Sequence, residues 1–457
     1  MKTYFFDVSD VVIYVEKETS VSGIQRVSFE VIRRMVARHG AGAVRLAYWD
    51  RARRVYLSIP SDFIEGMTGF DADVLGAVFF GKRARALHDT APTLERYRNH
   101  PLKYRFHHLS RSFHALRGDA DYFERLGSSL VAWRAFRPGR NPVPVAQDIP
   151  RTPVAEVAQP GDALVVLGAT WGIDGLQDCF QGLADDQGMQ ITQLVHDLIP
   201  VLTPEHLVED FSQDFHDWLT SSTGYCSGYF ANSHNTARDL EAFLDKTGET
   251  RPIRTVPLAQ AFDKAPQGQV LRQEIADLAR TPFVLVVGTL ESRKNIWRLA
   301  KVWQRLSEEA GLDLPRLVFA GKPGWHIEDF NDLMQATGNL GGRVQFADRP
   351  SDAELAWLYE TCLFTAMVSL YEGWGLPIGE SLAFGKTAVV ADNSSMPEVG
   401  GDMVEYCDAG SIDSIAGAVR KLITDPDHRR ALEARIRETQ LRTWDDVAAD
   451  FVAALEV

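Results

Sequence analysis

The chain has 457 residues, 45% of them apolar and 24% charged, a composition of soluble globular proteins and a length too great for one ordinary core. Its net charge of −14 argues against general nucleic-acid binding. Cys179, Cys226, Cys362 and Cys407 lie far apart with no C-x-x-C among them, so neither a zinc site nor a disulfide framework is suggested and a reducing, cytoplasmic setting is expected.

The opening stretch MKTYFFDVSDVVIYVEKE is broken by Asp7 and Asp10 and does not read as a signal peptide, and no uncharged apolar run is long enough to span a bilayer. Strand-like runs then alternate with helix-length segments, the pattern of a parallel sheet covered on both faces. In the first half the expected strands are 5–15, 44–49, 163–168, 190–197, 229–233 and 253–258. After Gly23, Ile24, Val27, Val31, Ile32 and Met35 recur at helical spacing, and Gly40 is placed to end that helix.

Between Lys82 and Arg140 the balance of charge reverses: thirteen Lys/Arg and five His stand against five Asp/Glu, with Tyr97, Tyr104, Phe106, Phe113, Tyr122, Phe123, Trp133 and Phe136 interleaved. This stretch suits a solvated helical insertion, a surface for anionic lipid or a lipid-diphosphate acceptor, or a single-strand nucleic-acid groove. The acidity of the rest of the chain disfavours the last.

Residues 259–281 start polar and contain Pro and Gly, as a domain linker would. The pattern restarts with strands expected at 283–288, 316–321, 343–348, 363–369, 387–392 and 403–407, and a helix near 295–310 burying Ile296, Leu299, Val302, Trp303 and Leu306. The fold class expected is α/β: two doubly wound, Rossmann-like domains, 1–262 (with a basic insertion near 60–150) and 282–440, facing each other across a cleft. Residues 441–457 read as an amphipathic helix with Trp444, Val447, Phe451 and Leu455 on one face, able to brace the first domain.

Open parallel sheets bind ligands beyond the carboxyl ends of their strands, and four constellations fall there. Gly23 precedes the first long helix, where a phosphate or an acceptor hydroxyl can approach with help from Arg26, unless this is an ordinary turn. His196 and Asp197 end a strand; His196 can bond a sugar hydroxyl or act as an acid/base, or else be a satisfied structural histidine. In VVGTLESRKN (286–295), Arg293 and Lys294 stand between a strand end at Gly288 and Thr289 and a helix start, a good diphosphate site or a solvated basic loop. In SLYEGWGLPIGESLAFG (369–385), Gly373 and Gly375 give a turn, Pro377 suits the first helical position, and Gly385 can close the helix. There Glu380 can accept the two hydroxyls of a ribose, Glu372 can touch a transferred sugar, and the backbone around Trp374, Gly375 and Leu376 can face an anion. The alternative for Glu380 is a helix-terminal carboxylate worth roughly 0.3–1 kcal/mol.

Together these segments resemble retaining glycosyltransferases of family 4, of the GT-B fold. The likeness rests on Glu372-x7-Glu380 within EGWGLPIGE, supported by GTLESRKN, VHDLIP and ANSHNTARDL (231–240). It extends to bacterial enzymes that assemble lipopolysaccharide, capsule or exopolysaccharide, several of them mannosyltransferases. The resemblance implies a nucleoside-diphosphate sugar donor (GDP-mannose, with UDP-glucose close behind), no cofactor and no metal. It implies a glycan or polyprenyl-diphosphate-linked acceptor, while peripheral contact with anionic membrane is expected from the basic, aromatic stretch 82–140. Arg293 and Lys294 would hold the diphosphate, Glu380 the ribose, and Glu372 with Gly373–Leu376 the sugar; His196 would meet that sugar from the opposite domain, and Gly23 would lie near the acceptor. Thr289 stands where some relatives carry an arginine. The D-x-D triplets Asp71/Asp73, Asp119/Asp121 and Asp425/Asp427 follow no strand end of the second half and read as surface charge.

A glycoside hydrolase using Glu372 and Glu380 is a competing interpretation, against which a helix-start Glu380 is expected to have a low pKa. A nucleotide-sugar epimerase of the same shape and a non-catalytic nucleotide-sugar-binding protein are the others.

Overall fold

The computed structural model describes residues 2–16, 23–67, 69–80, 94, 101–126, 130, 133, 149–208, 211–262 and 271–456. The described residues of the spans 1–11, 20–70 and 151–457 form one compact body, and those of 12–19 and 71–150 form another.

The larger body holds two sheets. The first has eight strands in the order β4-β3-β2-β1-β5-β6-β7-β8. These are β1 Tyr4–Asp7, β2 Val44–Asp50, β3 Val55–Pro60, β4 Thr152–Pro153, β5 Ala163–Val166, β6 Gln190–Val195, β7 Cys226–Ala231 and β8 Ile253–Thr255. All pairs are parallel except β2–β3 and β3–β4. The second has six parallel strands, β11-β10-β9-β12-β13-β14: β9 Phe283–Val287, β10 Arg316–Gly321, β11 Val344–Asp348, β12 Phe364–Met367, β13 Ala388–Ala391 and β14 Glu405–Cys407. Each sheet reverses its strand order once, beside β1 and β5 in the first and beside β9 and β12 in the second, so each has a switch point at which a crevice opens.

The second sheet is buried on both faces. Val284, Leu317 and Phe319 pack on Leu299, Val302 and Trp303 of the helix Ile296–Leu306. Their neighbours Leu285 and Val318 pack the other way, on Leu358, Tyr359 and Ile275. Burial on both faces is why these strands read as unbroken apolar runs. Ile275 and Leu278 belong to the helix Gln273–Leu278, so part of the stretch expected as a polar linker is folded into this core; residues 263–270 lie outside the described residues.

Two expectations for the first half need correction. The strand expected over 5–15 stops at Asp7, and Ser9–Val15 is helical. Asp7 accepts hydrogen bonds from the Ser9 amide (3.2 Å) and hydroxyl (2.7 Å), which turns the chain and starts the helix. Strands β3 and β4 were not expected; they add an antiparallel edge to the parallel core.

The helix Gly23–His39 buries Val27, Val31, Ile32 and Met35, and Gly40 follows it at φ +75°. The helix Trp444–Leu455 buries Trp444, Val447, Phe451 and Leu455 and packs against the first sheet's side of the molecule. There Phe451 meets Phe230 edge-on at 4.8 Å, and Lys2 donates to the Leu455 carbonyl at 3.1 Å.

In the smaller body the helix Pro101–Leu116 sits against Ala120–Glu124, around a small core of Leu94, Ala115, Phe123 and Trp133. His114 stacks on Tyr122 with ring centroids 3.7 Å apart. Of the basic stretch read in the sequence, Lys82, Tyr97, Phe136 and Arg140 lie outside the described residues. The three D-x-D triplets serve helix starts: Asp71, Asp119 and Asp425 each accept from backbone amides in a first turn.

Candidate active site

The carboxyl ends of β9 and β12, at the second sheet's switch point, carry the two loops singled out in the sequence. After β9 the chain passes Gly288 at φ +134° and Thr289, half-buried, to a short helical turn Ser292–Lys294. Gly288 and Gly321 make a close approach: a Cβ on Gly321 would lie 2.0 Å from the Gly288 carbonyl oxygen. Asn295 follows at φ +60°. Its side-chain Nδ2 donates to the carbonyls of Val368 (2.9 Å) and Ala409 (2.8 Å), stapling the helix start to the ends of β12 and β14.

This geometry aims Arg293 and Lys294 at the second loop. Glu372, buried, accepts from Lys294 at 2.6 Å and from Arg293 at 2.9 Å. Burial alone would raise its pKa, but Arg293 and Lys294 overcome that and hold it at about 2. Arg293 also bonds Glu291 and the Tyr371 carbonyl. Burial would lower its pKa, yet Glu372 and Glu291 outweigh this and raise it. The expected pair of cations is therefore not a bare positive cradle: Arg293 is committed to two carboxylates, and Lys294 gives one of its three N–H groups to Glu372.

Gly373 is more than a flexible turn. A Cβ there would stand 2.0 Å from the His196 carbonyl oxygen and 2.8 Å from Asp197 Cβ. Only glycine lets this loop touch the β6 end of the first sheet, and the Thr236 hydroxyl bonds the Gly373 carbonyl at 3.3 Å beside them. His196 is buried, and burial lowers its pKa to about 4, only partly countered by its bond to Leu167. Its Nε2 lies 2.7 Å from the Leu167 carbonyl, an acceptor, so Nε2 carries the proton and Nδ1 of the neutral ring keeps its lone pair. Such a ring accepts a hydroxyl well and is a poor general acid at neutral pH. Asp197 is pushed up to about 6 by burial, with Arg293 and Lys294 pulling it down and Glu372 pushing it further up.

The loop continues through buried Trp374 to Gly375 at φ +102°, which caps the helix Leu376–Ala383. Pro377 is thus the second helical residue, not the first, and Gly385 follows at φ +70°. Glu380 is buried within that helix and accepts from the Tyr359 hydroxyl at 2.7 Å. Its pKa is raised, not low as expected: burial outweighs the nearby Arg26 guanidinium and the Tyr359 bond. Arg26 comes from the first half, pairs with Asp352 at 3.1 Å and lies over the Phe262 ring. Gly23 is exposed at the start of its helix at φ +51°, and residues 17–22 before it lie outside the described residues.

The structure thus brings together Arg293, Lys294, Glu372, Gly373, His196 and Asp197. It sets Glu380 to one flank with Arg26, beyond Gly375 and Leu376. Several contributors escaped the sequence. Asp197 was seen only as His196's neighbour; Glu291 and Tyr359 carried no local signal. Glu398 spans the two halves, its carboxylate accepting from the first backbone amides of the helix His234–Thr247, His234 at 2.7 Å and Asn235 at 2.8 Å. Among the described residues no His/Cys/Asp/Glu group has the geometry to hold a metal ion.

Residues 269–439, the span containing both loops, match the family described as "Glycosyl transferases group 1". That span is similar to glycosyl transferases group 1. The chain is 27% identical over 207 residues to the O-antigen chain mannosyltransferase B of Escherichia coli, covering 45% of this chain and 50% of that one. It is 25% identical over 238 residues to the serotype-specific mannosyltransferase WbdA of the same organism, covering 50% of this chain and 29% of that one. The match thus spans half or less of the length of these relatives. A third, the GDP-mannose-dependent alpha-(1-6)-phosphatidylinositol dimannoside mannosyltransferase of Mycobacterium tuberculosis, is 28% identical over 59% of this chain and 68% of its own. Among solved structures, HepE from Anabaena, in complex with UDP, superposes over 100% of both chains with TM-score 0.56 at 13% identity. The group 1 span and the two-sheet likeness bear out the GT-B resemblance drawn from EGWGLPIGE.

Proposed function

We propose that the protein is a retaining, metal-independent glycosyltransferase. It moves a hexose, mannose on the balance of its relatives, from a nucleoside-diphosphate sugar to a glycan or lipid-linked glycan in surface polysaccharide synthesis. The observation that carries this is the Arg293–Lys294–Glu372 cluster at the switch point of the group 1 span, closed by main-chain contact between Gly373 and His196.

In this reading the free N–H groups of Lys294 and the amide of Thr289 receive the diphosphate. Charge grows there as the sugar leaves, so fixed donors stabilise the transition state more than the ground state. Arg293 holds Glu372 in place, and Glu372 with His196 Nδ1 accepts sugar hydroxyls from two sides. Glu380 takes the ribose with the carboxylate oxygen that Tyr359 leaves free. The relatives named above are transferases, which favours this over an epimerase. A hydrolase would use Glu380, whose pKa is raised, as its proton donor; the relatives named above, all transferases, are what favour transfer over hydrolysis. The acceptor's lipid would place the enzyme in peripheral contact with the inner face of an anionic membrane.

The test is a screen of GDP-, UDP- and dTDP-hexoses with release of nucleoside diphosphate as readout. Lys294→Ala is expected to lower turnover by roughly 10²–10³-fold, the scale for one lost transition-state donor. Turnover undiminished in that variant, or in none of the donors, overturns the assignment. The anomeric configuration of the product, read by NMR, tests retention, and activity after chelation tests metal independence.

A further inference from the structure

The helix Pro101–Leu116 has two apolar faces where a helix on a small core needs one. Tyr104, His108 and Ala115 turn toward Phe123 and Trp133. On another side Phe106, Leu109, Phe113 and Leu116 stand 69%, 71%, 52% and 85% exposed. Their spacing of three and four residues lines them into one stripe along the helix. Exposed Lys103 and Arg105 border the stripe, and Arg117 lies over the Phe113 ring at 4.3 Å. The helix contains no Asp or Glu.

Resting on the reading above that the enzyme works at a membrane, we infer that this helix is the element that docks there. Its stripe enters the headgroup boundary of an anionic lipid surface, with Lys103, Arg105 and Arg117 at the phosphates. An apolar face flanked by cations and free of acids is the chemistry such a surface selects. A second copy of the chain fits the face less well. A two-fold contact through the stripe brings its cations toward their own equivalents, with no carboxylate on the helix to answer them.

Flotation of the full chain on vesicles of mixed phosphatidylglycerol and phosphatidylcholine, and on phosphatidylcholine alone, tests this. The wild type is expected to float with the anionic vesicles at low salt and to stay behind with the neutral ones. Phe106→Asp/Phe113→Asp should abolish flotation. Lys103→Gln/Arg105→Gln, which leaves the apolar stripe intact, should weaken partitioning by roughly fivefold per cation, about 1 kcal/mol each. Circular dichroism checks that both variants fold. A wild type that stays behind, or a double aspartate variant that floats as well as it, overturns the inference. So does a lipid-free dimer that the aspartates dissolve while flotation is unchanged, since the stripe would then be covered by a second copy. Donor turnover on the same preparations separates the two readings: flotation lost with turnover kept concerns docking, and turnover absent with flotation kept sinks the transferase alone.

Discussion

Glu372 and His196 both make the fold less stable as pH falls, each over its own pH window. Glu372 is held at about 2 in the folded protein against an ordinary 4.5. Its contribution, on the order of 3 kcal/mol, is present above pH 4.5 and is lost as pH falls toward 2. In urea unfolding, the stability gap between wild type and Glu372→Gln is expected to narrow as pH drops below 4.5; a gap that stays constant refutes the pairing with Arg293 and Lys294. His196 is depressed to about 4 from 6.5, so the unfolded chain binds the proton first. Stability is therefore expected to fall as pH drops from 6.5 toward 4, and His196→Gln, whose amide can still donate to Leu167, should flatten that slope. A slope unchanged in the variant assigns it elsewhere.

At the scale of elements, Asn295 fastens three parts of the second sheet. Asn295→Ala leaves the Val368 and Ala409 carbonyls without their donor and keeps an unfavourable positive φ, so a loss of roughly 2–4 kcal/mol is expected. Asn295→Gly tolerates the φ and should recover part of it; if both variants unfold at the same denaturant concentration, backbone strain plays no part. The sequence displayed this sheet well, because strands such as FVLVV and RLVFAG are buried on both faces and show as solid apolar runs. It displayed the loop EGWGLPIGE through glycine and proline, which mark backbone requirements locally. It misread 5–15, since DVVIYV has no period that separates a helix from a strand, and missed VYLSIP and its two-residue partner as short edge strands. The clasp of Glu372 by the preceding loop, the Tyr359 bond to Glu380 and the pKa of His196 depend on partners far away in sequence, and no local pattern records them.

In the larger body as a whole, polar bridges join the halves that carry the two sheets, alongside the Gly373 seam and the apolar helix Trp444–Leu455. Arg26 reaches Asp352, Trp325 donates to the His206 carbonyl at 2.8 Å, and Glu398 covers the start of the helix His234–Thr247. The last is the most directional, since a carboxylate meets both exposed amides and the positive end of the helix. Glu398→Ala is expected to speed hydrogen exchange at the amides of His234 and Asn235 by about tenfold or more, with little change in the cores of either sheet. Protection unchanged at those amides means that the bridge is not maintained in solution.

The seam where Gly373 lies against the peptide of His196 sets limits for anyone who would retool this protein. Backbone faces backbone there, so a library randomised at position 373 should return glycine whatever is selected for. Diversity belongs instead at Thr289 and Trp297, which keep part of their surface open on the neighbouring loop and helix and have room to vary.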